Sequence, residues 1–332
     1  MTDHPTYHPP LRWGIIGCGD VTEVKSGPAY QLTEGFELTA VMRRDAARVK
    51  DFAERHGVPK YYTDADQLIR DADVDAVYIA TPPDSHREYA LRVAAAGKPC
   101  CVEKPLAPNY ADGRAIVEAF ARKNLPLFVA YYRRSLPRFT QVKQWLDEGE
   151  IGAVRHVSWL LAKPPSETDL AGNPNWRTDP GVAPGGYFDD LASHGLDLFT
   201  FLLGDIETVH GISRNQQGLY EAKDAFTACW QHVGGVTGAG SWNFGSGTAL
   251  DRVELLGSAG CVTFSVFAEA PLRLNNSAGE RELFIEHPKH VQLPHVENMR
   301  RELLGGGGYR HPSTGRSALH TGWVMAGVLG GG

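Results

Sequence analysis

The chain has no apolar stretch that approaches the ~18 uninterrupted residues of a membrane-spanning helix, so it is expected not to enter a membrane. It has no excess of positive charge. Its 33 Lys and Arg stand against 39 Asp and Glu, a formal net charge of −6, which argues against a nucleic-acid or anionic-membrane partner. It has no CxxC pair, and its five cysteines (Cys18, Cys100, Cys101, Cys229 and Cys261) are an odd number. That pattern argues against a disulfide framework and against a structural zinc site, so no metal is expected. Cys18, Cys100 and Cys101 lie in apolar strand-like contexts, where free cysteine behaves as a small hydrophobe. The opening MTDHPTYHPP lacks the basic and apolar regions of a signal peptide. Residues 1–10 read as a flexible arm and the closing glycines as a frayed tail. The cytoplasm is the expected compartment.

What the chain does have is length and rhythm. At 332 residues two domains are expected. From residue 11 to about 131, short apolar runs alternate with helical segments. LRWGIIG precedes a helix over 21–32, and FELTAVM one over 45–56. VDAVYIA leads into 84–96, KPCCVE into 109–124, and PLFVAYY closes the series. Apolar strands separated by amphipathic helices imply a parallel sheet covered on both faces over 11–134, a domain that the turn after its first strand marks as dinucleotide-binding. Beyond 135 the rhythm changes. A helix over 137–149 and the strand-like AVRHVSWLLA come first, then a Pro/Gly/Asn-rich loop over 163–186. DAFTACWQHV, GVTGAGSWNF, RVELLG and CVTFSV follow, with spacing that suits an antiparallel sheet in an α/β domain over 135–310. Residues 311–332 read as a last helix and tail, with Ser313 or Thr314 near its cap.

The first strand ends in Gly17-Cys18-Gly19-Asp20-Val21-Thr22. In such a turn the first glycine permits the tight bend. The second lets backbone approach a pyrophosphate at a helix N-terminus, so Gly17, Gly19, Asp20 and Val21 are candidate cofactor contacts. Glycines also end strands for conformational reasons alone, but here the turn closes the first strand of an alternating series and opens a helix. Where an NAD enzyme carries an acid for the ribose 2′-hydroxyl, the second strand ends in Arg43 and Arg44. Two guanidinium groups match a 2′-phosphate, which favours NADP(H) with NAD(H) as the alternative, against the plain reading of a solvated basic corner. Two further stretches end strands on the side where ligands collect in such sheets. IATPPDSH offers Thr81, Pro82 and His86, and CVEKPLAP offers Glu103 and Lys104.

Residues 185–204, GGYFDDLASHGLDLFTFLLG, read as a helix of roughly five turns bounded by glycines. At about 100° per residue Asp190, His194 and Asp197 fall within about 60° of one another, opposite Phe188, Leu191, Leu198, Phe199 and Leu202. A helix so apolar is buried, and charged groups on it must be paired or face a cavity. Either the group is an internal ion pair, or His194 is an acid/base with carboxylate neighbours. Asp197 reads as a group that orients His194 or pairs with backbone or arginine, and Asp189, off this face, as structural. Trp176 and Arg177 in the long loop, with Tyr132 and Arg133 after the last strand of the first series, are candidate substrate contacts; packing is the alternative for each.

Taken together, WGIIGCGDV, VDAVYIATPPDSH, CVEKPL, NPNWRTDP and GGYFDDLASHGLDLFTFLLG, with the closing HPSTGRSALHT, resemble the glucose–fructose oxidoreductase / inositol dehydrogenase (Gfo/Idh/MocA) family over nearly the whole chain. The resemblance implies an α/β fold: an N-terminal Rossmann doubly wound parallel sheet, then a C-terminal α+β domain whose large, mostly antiparallel open sheet forms a homodimer or homotetramer interface. It also implies a cis bond before Pro105, Lys104 near nicotinamide and substrate, His194 as acid/base and Asp190 as its partner in holding a sugar or polyol. Thr22, in the third glycine's place, is expected to widen the helix–strand approach slightly. Arg43 departs from the acidic pattern. The expected function is hydride transfer between NADP(H) and a hydroxyl or carbonyl carbon of a sugar, polyol or related compound. A histidine takes the hydroxyl proton, and Lys104, if charged, favours alkoxide character on the same oxygen. The alternatives are a glycosidase that uses its redox cofactor without net redox, and a non-catalytic NADP-sensing regulator.

Overall fold

Both faces of strand β1 (Leu11–Ile16) are covered, and the sequence shows how. Trp13 and Ile15 enter one apolar cluster with Tyr30, Val41 and Phe52, while Ile16 enters another with Leu68, Val77 and Val93. Gly14 faces Leu68 so closely that an added Cβ would stand 2.6 Å from its Cδ2. The computed structural model describes residues 7–173, 175–305 and 308–330; residues 1–6 of the expected arm and the last two glycines lie outside them. The chain divides into two units, residues 1–135 with 288–319 and residues 136–287 with 320–332. Among the described residues no helix is long and apolar enough to cross a membrane.

In the first unit β1 is joined by β2 (Phe36–Met42), β3 (Lys60–Tyr62), β4 (Ala76–Ile79), β5 (Cys100–Val102) and β6 (Leu127–Val129) in the all-parallel order β3-β2-β1-β4-β5-β6. The order reverses between β1 and β4, the switch point where such sheets bind ligands. The helix expected over 21–32 is two, Asp20–Val24 and Gly27–Leu32. Pro28 cannot donate to the preceding turn, and its ring excludes a continuous helix there. Asp45 and Asn109 cap their helices, accepting from Arg48 N (3.0 Å) and Asp112 N (2.9 Å). The short β3 and the helix Ala65–Arg70 were not anticipated; three half-exposed residues at a sheet edge carry little pattern.

The expected second domain, 135–310, needs correction at its end. Residues 288–310 belong to the first unit, because the helix Leu293–Leu304 sets Val296, Met299 and Leu303 into the cluster of Trp13 and Tyr30. Ser313 then donates from Oγ to Val129 O at 2.7 Å, and Thr314 caps the helix Gly315–Leu329 by accepting from Ser317 N at 3.4 Å. Met299 is fully buried, so Met299→Ala is expected to cost about 2–5 kcal/mol, read as a lowered urea midpoint.

The second unit is built on eight strands: β7 (Val154–Ala162), β8 (Ile206–Arg214), β9 (Ala225–His232), β10 (Thr237–Asn243), β11 (Leu250–Gly257), β12 (Gly260–Phe264), β13 (Leu272–Asn276) and β14 (Gly279–Leu283). They run in the order β14-β13-β12-β11-β7-β10-β9-β8. Every pair is antiparallel except β7 with β10. β8, β13 and β14 escaped the sequence reading because polar residues dominate them. One face packs on the helix Ser193–Leu203, where Trp159 meets Phe199 edge-on at 5.6 Å and lies so close to Gly195 that a Cβ there would be 2.3 Å from the indole. On the other face a cross-strand row runs Ile212, Thr227, Ser241, Leu160 and Arg252, with Ile212 and Leu160 exposed.

Candidate functional site

The nucleotide turn follows from its glycines. Gly17 has φ +92°, and a Cβ on it would stand 2.6 Å from Thr81 Cγ2, so only glycine fits. Its N–H donates to Met42 O at 2.8 Å. At Gly19 an added Cβ would meet nothing closer than Gly17 O at 3.9 Å, which leaves the cradle that a pyrophosphate needs beside the first helical amides, Asp20 and Val21. Thr22 does not stand apart from the turn: Gly19 N donates to its Oγ1 at 2.9 Å, and that hydroxyl donates to Gly19 O at 2.7 Å. The buried threonine therefore clamps the turn from within.

Arg43 bends back to donate from Nη1 to Cys18 O at 3.1 Å, so its guanidinium lies against this turn, while Arg44 beside it is exposed. The first carboxylate after β2 is Asp45. It is committed to capping, and the Arg48 N–H holds it below the usual carboxylate value. The turn thus leaves open space at Gly19 with a guanidinium beside it, a geometry that could hold a dinucleotide phosphate.

Thr81 and Pro82 follow β4. His86 does not face outward as a cofactor contact: it is fully buried, with Nε2 2.8 Å from Thr81 O and Nδ1 3.0 Å from Pro105 O. Burial lowers its pKa below the ordinary histidine value. It ties the loop after β4 to the residues after Lys104. Glu103 is likewise turned inward and only 7 % exposed. Its Oε1 accepts from Tyr78 Oη at 2.5 Å and Gln292 Nε2 at 2.7 Å, and its Oε2 accepts from Lys104 N at 3.2 Å. Lys104 itself is half-buried, and its bond to Pro105 is cis. Tyr132 and Arg133 form a 3-10 turn after β6, with the Arg133 guanidinium 5.0 Å from the Tyr132 ring centre and Arg133 nearly buried. The sequence reading missed Tyr78 and Gln292. A lone tyrosine in an aliphatic strand was a signal for the first; nothing local marked the second.

In the second unit the helix over 185–204 begins differently from the expectation. Phe188–Ala192 is a π turn, and the α-helix runs only from Ser193 to Leu203. The 100° projection therefore does not hold at Asp190, because a π turn is wider than an α turn. Asp190 accepts from Arg177 Nε at 2.6 Å, and the Arg177 guanidinium lies 4.4 Å from the Trp176 ring centre, so three of the candidate residues do meet. His194 is 5 % exposed, with the Phe267 ring edge-on at 6.1 Å. Asp197 is fully buried and accepts from Thr321 Oγ1 at 3.0 Å. Asp189 accepts from Gly185 N at 2.7 Å, and burial raises its carboxyl to about 7. The arrangement offers a nearly buried imidazole one turn beyond a carboxylate whose charge is already balanced by arginine.

Residues 11–131 match the family model described as an oxidoreductase family with an NAD-binding Rossmann fold, and residues 139–263 match the GFO/IDH/MocA C-terminal domain. An oxidoreductase of Formosa agariphila is 39 % identical over 289 residues, 86 % of this chain and 89 % of its own length. A 1,5-anhydro-D-fructose reductase of Ensifer adhaerens is 33 % identical over 199 residues, 58 % of this chain and 57 % of that protein. In fold, the chain is similar to levoglucosan dehydrogenase, solved in complex with NADH and levoglucosan, with a TM-score of 0.84 at 20 % identity, covering 97 % of this chain and 96 % of that one. The chain belongs to the Gfo/Idh/MocA family of oxidoreductases.

Proposed function

We propose that this oxidoreductase transfers hydride between NADP(H) and a hydroxyl or carbonyl carbon of a sugar or polyol, with His194 as its acid/base. The observation that carries the reading is the Arg177–Asp190 pair one turn before a nearly buried histidine, in a chain whose first unit is a nicotinamide-nucleotide fold. The nicotinamide, when bound, supplies the hydride acceptor or donor. His194 takes the hydroxyl proton in oxidation and returns it in reduction. Asp190, held by Arg177, orients a substrate hydroxyl and stabilises positive charge on the imidazole. Lys104 is assigned the stabilisation of developing alkoxide charge. Carbohydrate substrates are supported by the names of the anhydrofructose reductase and the levoglucosan dehydrogenase. The exposed row of Ile212, Thr227, Ser241 and Leu160 is where we assign contact between copies in a homodimer or homotetramer.

The preference for NADP(H) rests on Arg43 and Arg44 and on the commitment of Asp45 to its helix. Charge-assisted hydrogen bonds to a phosphate are worth about 1.5–3 kcal/mol, so NADPH is expected to bind about 10- to 100-fold tighter than NADH. Arg43→Asp is expected to reverse that order. Titration of nicotinamide fluorescence with both nucleotides checks it, and equal affinities in the wild-type protein would remove the 2′-phosphate role. Turnover of a sugar or polyol panel, followed as NADPH formed or consumed, tests the reaction; glycoside cleavage without net redox would replace it.

A further inference from the structure

Gln292 is 1 % exposed and lies 189 residues beyond Glu103, yet it joins two parts of the cofactor half. Its backbone N–H donates to Lys25 O at 3.2 Å, at the end of the short helix that opens from the nucleotide turn. Two residues before it, His290 Nδ1 lies 2.5 Å from Val24 O on that same helix. The side chain of Gln292 donates from Nε2 to Glu103 Oε1 at 2.7 Å. A second route reaches the same oxygen. Ser26 Oγ lies 3.2 Å from Val21 O and 3.2 Å from Tyr78 Oη, and Tyr78 donates to Glu103 Oε1 at 2.5 Å. Ser26 and Tyr78 are fully buried.

Glu103 Oε1 therefore accepts from two buried side chains, Gln292 and Tyr78, and each is also tied to the helix behind the phosphate cradle, Gln292 through its own N–H to Lys25 O and Tyr78 through its neighbour Ser26. Its remaining oxygen accepts the backbone N–H of Lys104. A carboxylate in this environment is stable only while its donors stay in place, since burying it without them carries a desolvation cost. With two donors fixing one oxygen, the other has a fixed position, and so does the peptide that begins Lys104. His86 holds the far side of the same segment through Pro105 O.

We propose that Gln292 and Tyr78 are positioning residues: they hold Glu103 so that the Glu103–Lys104–Pro105 segment is preformed for the nicotinamide end of the cofactor, and they link that end to the helix at its phosphate end. The inference rests on the reading that Lys104 lies at the nicotinamide end. It accounts for a glutamate buried directly before a lysine that the proposed reaction needs, and for a return of the chain into the first unit.

The test compares two probes, NADPH and 2′-phospho-ADP-ribose, which has the phosphates and adenosine but no nicotinamide. Affinities are measured by fluorescence titration and by displacement on the full-length protein. In Gln292→Met, NADPH is expected to bind about 5- to 20-fold more weakly, the size of a modest coupling between sites, while 2′-phospho-ADP-ribose changes less than about twofold. Tyr78→Phe, which keeps the ring and removes the other donor, is expected to shift the same ratio. A merely destabilised domain would weaken both probes together, and that result, or no change in either, overturns the proposal. Lys104→Met separates this from the underlying reading. If it leaves the NADPH to 2′-phospho-ADP-ribose ratio at the wild-type value, the assignment of Lys104 fails. If it lowers the ratio while Gln292→Met and Tyr78→Phe do not, the positioning role fails and Lys104 stands. In the double variant Lys104→Met/Gln292→Met the second change is expected to add less than about twofold, because Gln292 acts through the segment already impaired.

Discussion

His194→Gln is expected to lower turnover by about 10²- to 10⁴-fold, the range removed with a positioned general acid/base. Glutamine fills much of the imidazole's volume and can hydrogen-bond, but it cannot accept a proton from a carbinol. The side chain is only 5 % exposed and packs edge-on against Phe267, so a smaller residue would add a packing defect to the chemical one; glutamine limits that confusion. Two accompanying results identify the loss as chemical. The affinity for NADPH stays within about twofold of wild type, because the residue belongs to the unit that does not carry the nucleotide turn. In the oxidative direction only a neutral ring accepts a proton, so wild-type turnover is expected to rise with pH, and the variant loses that rise. A variant that keeps turnover within about threefold, with the pH dependence intact, would return His194 to the role of a buried structural group.

Asp189→Asn is expected to change the pH dependence of stability rather than activity. Burial raises the folded-state carboxyl to about 7, against about 3.9 in an unfolded chain. Between those values the native protein holds a proton that the unfolded chain has lost. The stabilisation from this group is therefore complete below about pH 4 and falls away as pH rises toward 7. Over pH 5 to 8 the decline amounts to about 2–3 kcal/mol at 1.36 kcal/mol per unit. Asparagine keeps an acceptor for the Gly185 N–H and has no charge to bury, so the variant is expected to be the more stable protein at pH 8 and to converge on wild type toward pH 4. Urea midpoints measured at four or five pH values decide it, and parallel curves for the two proteins would mean that Asp189 is no longer neutral in the native state near pH 7. A neutral Asp189 also spares Asp190 a like charge at its immediate neighbour, which matters if Asp190 is to keep its bond to Arg177.

What could be read from the sequence was what depends on a few adjacent residues. Gly17 and Gly19 announce themselves because a tight turn and a close backbone approach are local demands. The parallel sheet of the first unit showed because five of its six strands are mostly apolar and alternate with helical segments, β3 being the exception. The helix bearing His194 showed as well, but its π turn did not, since an apolar projection assumes one pitch throughout. His86 and Glu103 stood out as motif residues, yet sequence gave no sign that both turn inward; burial is decided by what packs over them. Gln292 was beyond reach for the same reason, as its partner is set by the path of the chain through an entire second unit. β8 and β14 were missed because strands with an exposed face and polar residues lack the alternation that marks a half-buried one.

The return of residues 288–319 to the first unit has a consequence for how the protein is made. A nascent chain that has emerged to residue 287 contains all six strands of the nucleotide sheet, but not Val296, Met299 and Leu303, which complete one of its two apolar clusters, nor Gln292 for the buried Glu103. The unit translated first is thus completed only after residues 136–287 of the other have been made. During synthesis its uncovered face must wait while some 150 residues of the other unit leave the ribosome, roughly 10–30 s at ordinary elongation rates. A fragment cut at residue 135, the natural place to divide the sequence by eye, keeps the nucleotide turn and loses the piece that closes its core.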